Sequence, residues 1–493
     1  MSGVPAVDAV ALLPALAPAV GAVLVLAVDA ALPRGRGRRV LDVLAVASLL
    51  VAIGSLAVLG DSTRLTFCHG STAASCGYVA GRLSFSLQMV VLLSALICLL
   101  LALADDDRPE LPRAEMLLLL LTATAGACAL AGARDLATFA VAFETASLPI
   151  IGLVALRRDS VGAEAGVKLL LTAVLSFGLL ALGLALLYAS TGSLMLGAGV
   201  SDRLGDVRLL HGLGLALVVA GAAFKLSLVP FHLWTPDTYA GAPLSVAAFL
   251  STVSKAAGLA AVVLVLAVGA PERSGLWAAP VGALAVLTMT VGNLVALRQS
   301  SAVRLLAWST VAQAGWVLLP LAGAVGQSRV PGAVSASVGY LFAYVAGTLT
   351  VFAVVARTAN HADGGAGHRL DAYAGLWRRE PAVALALVFG LLCLAGLPPG
   401  IVGLVAKVIA LVPVVGVGAW WLVAGAVANV VLGVAVYLRW AVQIFSGGES
   451  VERSPMTQRW TGRVALSVAT AGCIALSVLP EGVVGLLAGS AVR

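Results

Sequence analysis

A chain of 493 residues that is 61% hydrophobic and 11% charged, with a mean hydropathy of +1.05, lies far from soluble domains, which run about 25% charged. It reads as an integral membrane protein, and its length as one membrane domain over 1–493 rather than several soluble units. The net charge of +7 and pI near 9.3 do not indicate a nucleic-acid partner. The arginines are spread over short loops between apolar runs, the pattern of positive-inside bias, and form no stripe with aromatics. The N-terminus, MSGVPAVDAV, lacks a basic n-region and carries Asp8, so the first apolar run is expected to stay as a span.

A membrane helix needs about 20 apolar residues, and about fourteen such runs follow one another. They fall near Ala11 to Ala31, Val40 to Gly60, Leu83 to Ala104, Ala114 to Ala133, Leu136 to Leu156, Ala163 to Ser190 and Leu209 to Trp234. The rest are Pro243 to Gly269, Leu276 to Leu297, Ala302 to Val325, Ala333 to Ala356, Ala382 to Leu411, Gly418 to Phe445 and Val464 to Leu487. The fold class is therefore all-α, a polytopic helical bundle, with helices expected to form the whole architecture. Basic loops occupy alternate gaps: RGRGRR at Arg34 to Arg39, Arg108 with Arg113, Arg157 with Arg158, Arg298 with Arg304, and Arg369, Arg378 and Arg379. Those gaps read as cytoplasmic, which places both termini and the loop bearing Cys68 and Cys76 on the opposite side, the periplasm of a bacterium.

Six cysteines give no redox centre. Cys98, Cys128, Cys393 and Cys473 sit singly in apolar runs, where cysteine acts as a small hydrophobe. Cys68 and Cys76 share one polar loop. They form a disulfide if that loop meets an oxidising compartment and the geometry allows; a metal site using Cys68, His69 and Cys76 lacks a fourth ligand.

Two spans are interrupted by proline. Pro230 follows Lys225 by five residues and crowds the carbonyl of Leu226, freeing backbone polar groups beside the lysine. In LAGLPPGIVGLVAK, Pro398, Pro399 and Gly400 precede Lys407 by about two turns. One interrupted span in each half is the pattern of transporters built from repeats, with ionic sites at the breaks.

The chemistry-bearing residues are few. Arginine outnumbers lysine 26 to 4, and Lys168, Lys225, Lys255 and Lys407 all fall inside predicted spans rather than decorating a surface. Arginine stays charged at any working pH, whereas a desolvated lysine can lose its proton. A structural cation is the alternative for each, above all for Lys168, where an i, i+4 pair with Glu164 would suffice. Glu144, in FAVAFETASLP, is the only carboxylate deep in a run. Burial disfavours its charge and a nearby lysine favours it, so a Glu144–lysine pair can act as a proton-loading switch or stand as a static ion pair. Pro149 repeats the five-residue spacing of Lys225 and Pro230. His232, two turns beyond Lys225, is a candidate relay between Lys225 and Lys255; His69, His361 and His368 fall in loops and His211 at a span entrance. There is no G-x-G-x-x-G after a strand, no P-loop and no CxxC pair, so the chain is read as moving ions without binding a cofactor or passing electrons.

FKLSLVPFHLWTPDTYAGAP followed by TVSKAA, GNLVALRQSSAVRLLAWSTVAQAGW, LAGLPPGIVGLVAK and FETASLP resemble the antiporter-like membrane subunits of proton-pumping NADH-quinone oxidoreductase (respiratory complex I), the subunit N family. The likeness covers roughly Ala114 to Phe445. It implies fourteen helices with helices seven and twelve broken, arranged as two inverted five-helix repeats. These would occupy 114–269 (helices four to eight) and 275–445 (helices nine to thirteen), between three N-terminal helices over 1–113 and a C-terminal helix over 462–493. It further implies that Glu144 pairs with Lys225, that Lys168 modulates the pair, that Lys255 is the central carrier and that Lys407 serves the second half-channel. Flavin and iron–sulfur clusters would belong to partner subunits. The partners implied are the other membrane subunits of complex I, including neighbouring antiporter-like subunits, within the lipid bilayer of a bacterial inner membrane. The chain departs from the family at Gln313, where histidine is common, and at Ala240, where an acidic residue is common. A glutamine cannot titrate. A sodium/proton antiporter subunit and a non-conducting membrane scaffold stand as alternatives.

Overall fold

The computed structural model of the chain describes residues 7–32, 37–60, 62–68, 75–104, 112–198, 207–359, 368–447 and 459–479. Arg108, His69, His361 and the end of the last predicted run lie outside them. Along the chain, α1 (Ala9–Ala31) and α2 (Arg38–Leu59) precede two short strands, β1 (Arg64–Cys68) and β2 (Cys76–Ala80). Then come α3 (Arg82–Ala104), α4 (Arg113–Gly132), α5 (Leu136–Thr145), α6 (Leu148–Ala155), α7 (Ser160–Thr191), α8 (Val207–Leu226), α9 (Trp234–Gly241) and α10 (Leu244–Val263). The second half holds α11 (Ser274–Ala296), α12 (Ala302–Leu318), α13 (Val330–Ala359), α14 (Leu376–Arg379), α15 (Pro381–Ala395), α16 (Ile401–Gly416), α17 (Trp420–Phe445) and α18 (Trp460–Val478).

Thirteen of these stretches are long and apolar enough to cross a membrane, and the shorter apolar pair α15 and α16 supplies one more. The fourteen spans expected from hydropathy are thus all present. The seventh is broken between α8 and α9 and the twelfth between α15 and α16, at the two proline sites. A third break, between α5 and α6, divides the fifth run just after Glu144, where the sequence pointed only to a coincidence of spacing.

α10 is the axis of the bundle. Every residue from Leu244 to Val263 except Leu244 is buried, and α3, α4, α8, α12 and α13 pack around it. Large apolar side chains instead point outward from the peripheral helices: Val20 and Val23 on α1, Val43 and Val58 on α2, Leu171 and Leu175 on α7, Val431 and Val442 on α17. An apolar outer surface over helices whose backbone bonds close internally is what a hydrocarbon solvent requires.

The expectation that helices form the whole architecture is corrected by the β1–β2 hairpin. Its strands pair antiparallel with Cys68 opposite Cys76, which are joined by a disulfide. That bond takes up both thiols of the alternative metal site. Periodicity could not find the hairpin, because each strand has five residues, β2 (CGYVA) is wholly buried with no polar face to alternate, and the neighbouring apolar runs dominate. The hairpin caps one end of the bundle. The Gly77 carbonyl accepts from the Arg134 backbone N–H at 2.8 Å, Tyr78 bridges to Ala133, and Gln88 of α3 donates to the Tyr78 hydroxyl at 3.0 Å.

Asp8 ties the cap to the first helix. Its carboxylate accepts from the Val10 N–H at 2.9 Å as an N-cap and from Arg64 at 3.0 Å, while its own N–H donates to Thr66. The Arg64 hydrogen bond and charge hold this carboxyl below its ordinary range. A carboxyl depressed in the folded state contributes fully above its unfolded pKa, and loses that contribution as pH falls through the folded value. Hydrogen–deuterium exchange of the β1 amides should therefore accelerate as pH drops below about 4, after correction for intrinsic rates. Asp8→Asn should show the faster exchange already at neutral pH.

Candidate functional site

Breaking a helix leaves carbonyls without partners at the C-terminal end of its first half, carrying about half a negative charge. Three breaks occur here, and a buried lysine is aimed at each. Lys225, in the last turn of α8, donates from Nζ to the Ala146 carbonyl at 2.9 Å and to Ser147 Oγ at 2.7 Å. Ala146 caps the C-terminus of α5. Lys255, at the middle of α10, donates to the Lys225 carbonyl at 3.2 Å and to Ser227 Oγ at 2.6 Å, so it serves the end of α8. Lys407, on α16, donates to the Ala395 carbonyl, the last residue of α15.

The three ammonium groups share further surroundings. Each lies over an aromatic face: Lys225 is 5.2 Å from the Phe143 ring, Lys255 4.9 Å from Trp234, and Lys407 5.6 Å from Trp316. A ring quadrupole attracts a cation without competing for its protons. All three side chains are buried, Lys255 most completely at 1% exposure. The local sequence builds these cradles. Pro230 cannot continue α8, and Gly396 takes the left-handed conformation (φ 76°) that ends α15 beside Lys407. Ser227 also adopts a left-handed backbone, φ 61°, which costs a non-glycine residue about 1–2 kcal/mol. Its hydroxyl accepts from Lys255 and shares a 2.6 Å hydrogen bond with Thr235 of α9.

Glu144 is half-buried at the end of α5, next to the Lys225 cradle. Among the described residues it makes no hydrogen bond to Lys225; the two interact through their charges across the break. His232 is buried in the α8–α9 break, but its ring packs edge-on against Trp308 of α12 at 5.2 Å. Hydrogen bonds run from Lys255 to the Lys225 carbonyl and to Ser227 without passing through it. Lys168 departs from the expectation that no lysine decorates a surface. It is about half exposed on α7 and pairs with Glu164 at 2.7 Å and with Asp237 at 2.8 Å.

Between Lys255 and Lys407 lie two neutral hydrogen-bonded groups that the sequence reading did not single out, apart from Gln313. Tyr344 donates to the Ser251 carbonyl at 2.7 Å, one turn from Lys255, and to Thr310 at 3.2 Å. In the second group, Ser309 meets the Tyr437 hydroxyl at 2.6 Å, and Gln313, one turn further along α12, donates to Tyr437 at 2.9 Å and to the Leu394 carbonyl at 3.3 Å. Tyr340 donates to Gln313 Oε1 at 2.6 Å. This second group thus ends one residue from the carbonyl that holds Lys407. Ser309 and Thr310, four and three residues before Gln313 on α12, and Tyr340 and Tyr344, four apart on α13, were the available signal.

Ser227 allows the Lys255 cradle to be tested directly. Ser227→Ala keeps a side chain on the left-handed backbone and removes one of the two hydrogen-bond partners that the buried ammonium has among the described residues. We expect a loss of about 1–3 kcal/mol, seen as a lower unfolding temperature in mild detergent. Neutrality or stabilisation would show that Lys255 does not depend on the hydroxyl.

Residues 133–433 match the family described as NADH:quinone oxidoreductase/Mrp antiporter, transmembrane. The chain is 42% identical to NADH-quinone oxidoreductase subunit N 2 of Streptomyces griseus, over 92% of this chain and 86% of the relative. It is 45% identical to NADH-quinone oxidoreductase subunit N of Salinispora tropica, over 90% and 87%. Among solved structures, a chain of respiratory complex I from Thermus thermophilus with bound aureothin superposes with a TM-score of 0.80 at 31% identity, covering 97% of this chain and 100% of that one. A chain of the Mrp complex from Dietzia superposes at 0.83 with 22% identity, over 97% and 96%, a likeness of fold alone.

Proposed function

From the membership of this chain in the NADH:quinone oxidoreductase/Mrp antiporter transmembrane family, we infer how its buried lysines serve the proton-translocating subunit of NADH-quinone oxidoreductase that its relatives identify. It is a multi-pass, antiporter-like membrane subunit of that complex, acting with other membrane subunits. The translocase activity belongs to the complex. Flavin and iron–sulfur carriers sit in partner subunits, and this chain moves protons while electrons pass elsewhere.

The observation that carries this reading is the placement of Lys225, Lys255 and Lys407, each buried at the C-terminal end of an interrupted helix. A lysine so placed has two accessible states, because the helix-end carbonyl and the ring beneath favour its charge while burial opposes it. Glu144 adds a negative charge at the first station. With Glu144 ionised and near, Lys225 keeps its proton. When that charge is withdrawn or neutralised, repulsion between the like-charged Lys225 and Lys255 drives a proton onward. Lys255 is the hub between the halves, and Lys407 is the second station. Lys168, in the ion-pair cluster on α7, biases the first station electrostatically, and His232, in the break of the seventh span against Trp308, stands beside the relay rather than in the hydrogen bonds of Lys255.

The arginine-bearing gaps and the Cys68–Cys76 disulfide support an orientation with both termini and the hairpin outside the cytoplasm, in a bacterial inner membrane. Exposed Trp420 and Trp421 at one end of α17, with Trp377 packed at a tilt against Phe445 at the other, fit two aromatic belts.

Two substitutions test the relay in inverted membrane vesicles, reading protons moved per NADH oxidised. Lys225→Arg keeps the charge but cannot release a proton, so pumping should fall nearly as far as in Lys225→Ala while the complex still assembles. Normal stoichiometry in Lys225→Arg would overturn the relay. Gln313→Leu strands the Tyr340 hydroxyl and the Leu394 carbonyl, each unpaired group costing about 1–3 kcal/mol, and leaves Tyr437 with Ser309. It should lower the proton-to-electron ratio more than Gln313→His, which keeps a donor and an acceptor.

A further inference from the structure

One cluster of charges stands outside the lysine axis yet touches both halves of the chain. Asp237 lies on α9, the eight-residue helix that resumes the seventh span after its break. One carboxylate oxygen accepts from Lys168 of α7 at 2.8 Å and the other from Arg304 of α12 at 2.8 Å. Lys168 also holds Glu164 at 2.7 Å. The four formal charges cancel, so neutralising Asp237 leaves two cations facing each other with only Glu164 between them. A nearby tie, from Arg157 to the Ala240 carbonyl at 3.2 Å, holds the end of the same helix. A Cβ at Gly241 would overlap the Ala165 side chain, so α9 lies against α7 with no slack.

The other side of α9 reaches the hub. Trp234, at its first residue, supplies the ring under Lys255, and Thr235 holds the Ser227 hydroxyl that accepts from Lys255. Trp234 also donates from its ring nitrogen to the Phe224 carbonyl at 3.0 Å, near the end of α8. Eight residues of helix move as a unit, so whatever fixes Asp237 fixes Trp234 and Thr235 within one turn of it. Isolated exposed ion pairs contribute little, but one carboxylate shared by cations on two separate helices also sets geometry.

We propose that Asp237 is a positioning residue for proton transfer at Lys255: its paired contacts with Lys168 and Arg304 hold α9 so that Trp234 and Thr235 complete the Lys255 cradle. The charge state of the α7 surface is thereby coupled to the hub, and the first half of the chain is strapped to α12 of the second. This rests on Lys255 being a proton carrier.

The test uses the assembled complex in inverted membrane vesicles, with assembly followed by immunoblot and protons moved per NADH oxidised as the readout. Lys255→Met serves as a control for the underlying reading. Arg304→Gln, which breaks one ion pair, should lower the ratio by roughly twofold, and Asp237→Asn, which breaks both, at least as far, while NADH oxidation continues. The double variant should be no worse than Asp237→Asn alone, since both break one strut, and Asp237→Glu should restore most of the ratio. If Asp237→Asn fails to assemble, Arg304→Gln and Asp237→Glu carry the same comparison. An unchanged ratio in Arg304→Gln and Asp237→Asn, or fully additive losses in the double variant, overturns the strut provided Lys255→Met has lost pumping. Normal pumping in Lys255→Met overturns the carrier reading beneath it.

Discussion

The structure depends on one kind of contact, a lysine ammonium donating to the carbonyl at the end of an interrupted helix. In hydrocarbon neither partner is tolerable alone. A broken helix offers carbonyls that water cannot reach, and an ammonium placed there costs at least about 3 kcal/mol on the lenient scales. Set against each other, each removes the other's penalty. This is why the interruptions after α5, α8 and α15 coincide with Lys225, Lys255 and Lys407. The aromatic rings of Phe143, Trp234 and Trp316 close the cradles with attraction that does not fix the proton.

The breaks are possible because neighbouring helices leave room for them. A Cβ on Gly126 of α4 would overlap the Ala146 backbone, one on Gly258 of α10 would press on Leu226, and one on Gly403 of α16 would overlap the Cys393 carbonyl. Each interrupted end is thus approached closely by a glycine of a neighbouring helix, the close approach that small residues permit within a membrane. Small residues and broken ends are parts of one arrangement, and the lysine occupies the polar space that remains.

Charge is concentrated in the first half of the axis and dispersed in the second. Glu144, Lys225 and Lys255 lie around adjacent breaks, whereas the space between Ser251 and Leu394 is lined by two separate hydrogen-bonded groups, Tyr344 with Thr310 and then Ser309, Tyr437, Tyr340 and the Gln313 amide. Neither group carries a formal charge, and each is held by hydrogen bonds between side chains and backbone carbonyls of different helices.

Composition and hydropathy determined the class, the fourteen spans and their alternation. A bilayer demands about 20 apolar residues per helix and tolerates so few charges that each exception is conspicuous. For the same reason the sequence alone exposed Glu144, Lys225, Lys255 and Lys407, and proline marked the breaks in spans seven and twelve. Tertiary structure decided what hydropathy does not encode. Both the break after Glu144 and the left-handed turn at Ser227 are backbone events with no apolar-period signature. The hairpin around Cys68 and Cys76 is too short to announce itself. The same lysine letter stands at Lys168 and Lys255, one on an exposed ion-pair cluster and one at the buried axis. That difference is set by which helices surround each position, and so is the partner of each buried lysine, a carbonyl distant in sequence in the case of Ala146, brought to its ammonium only when the bundle closes.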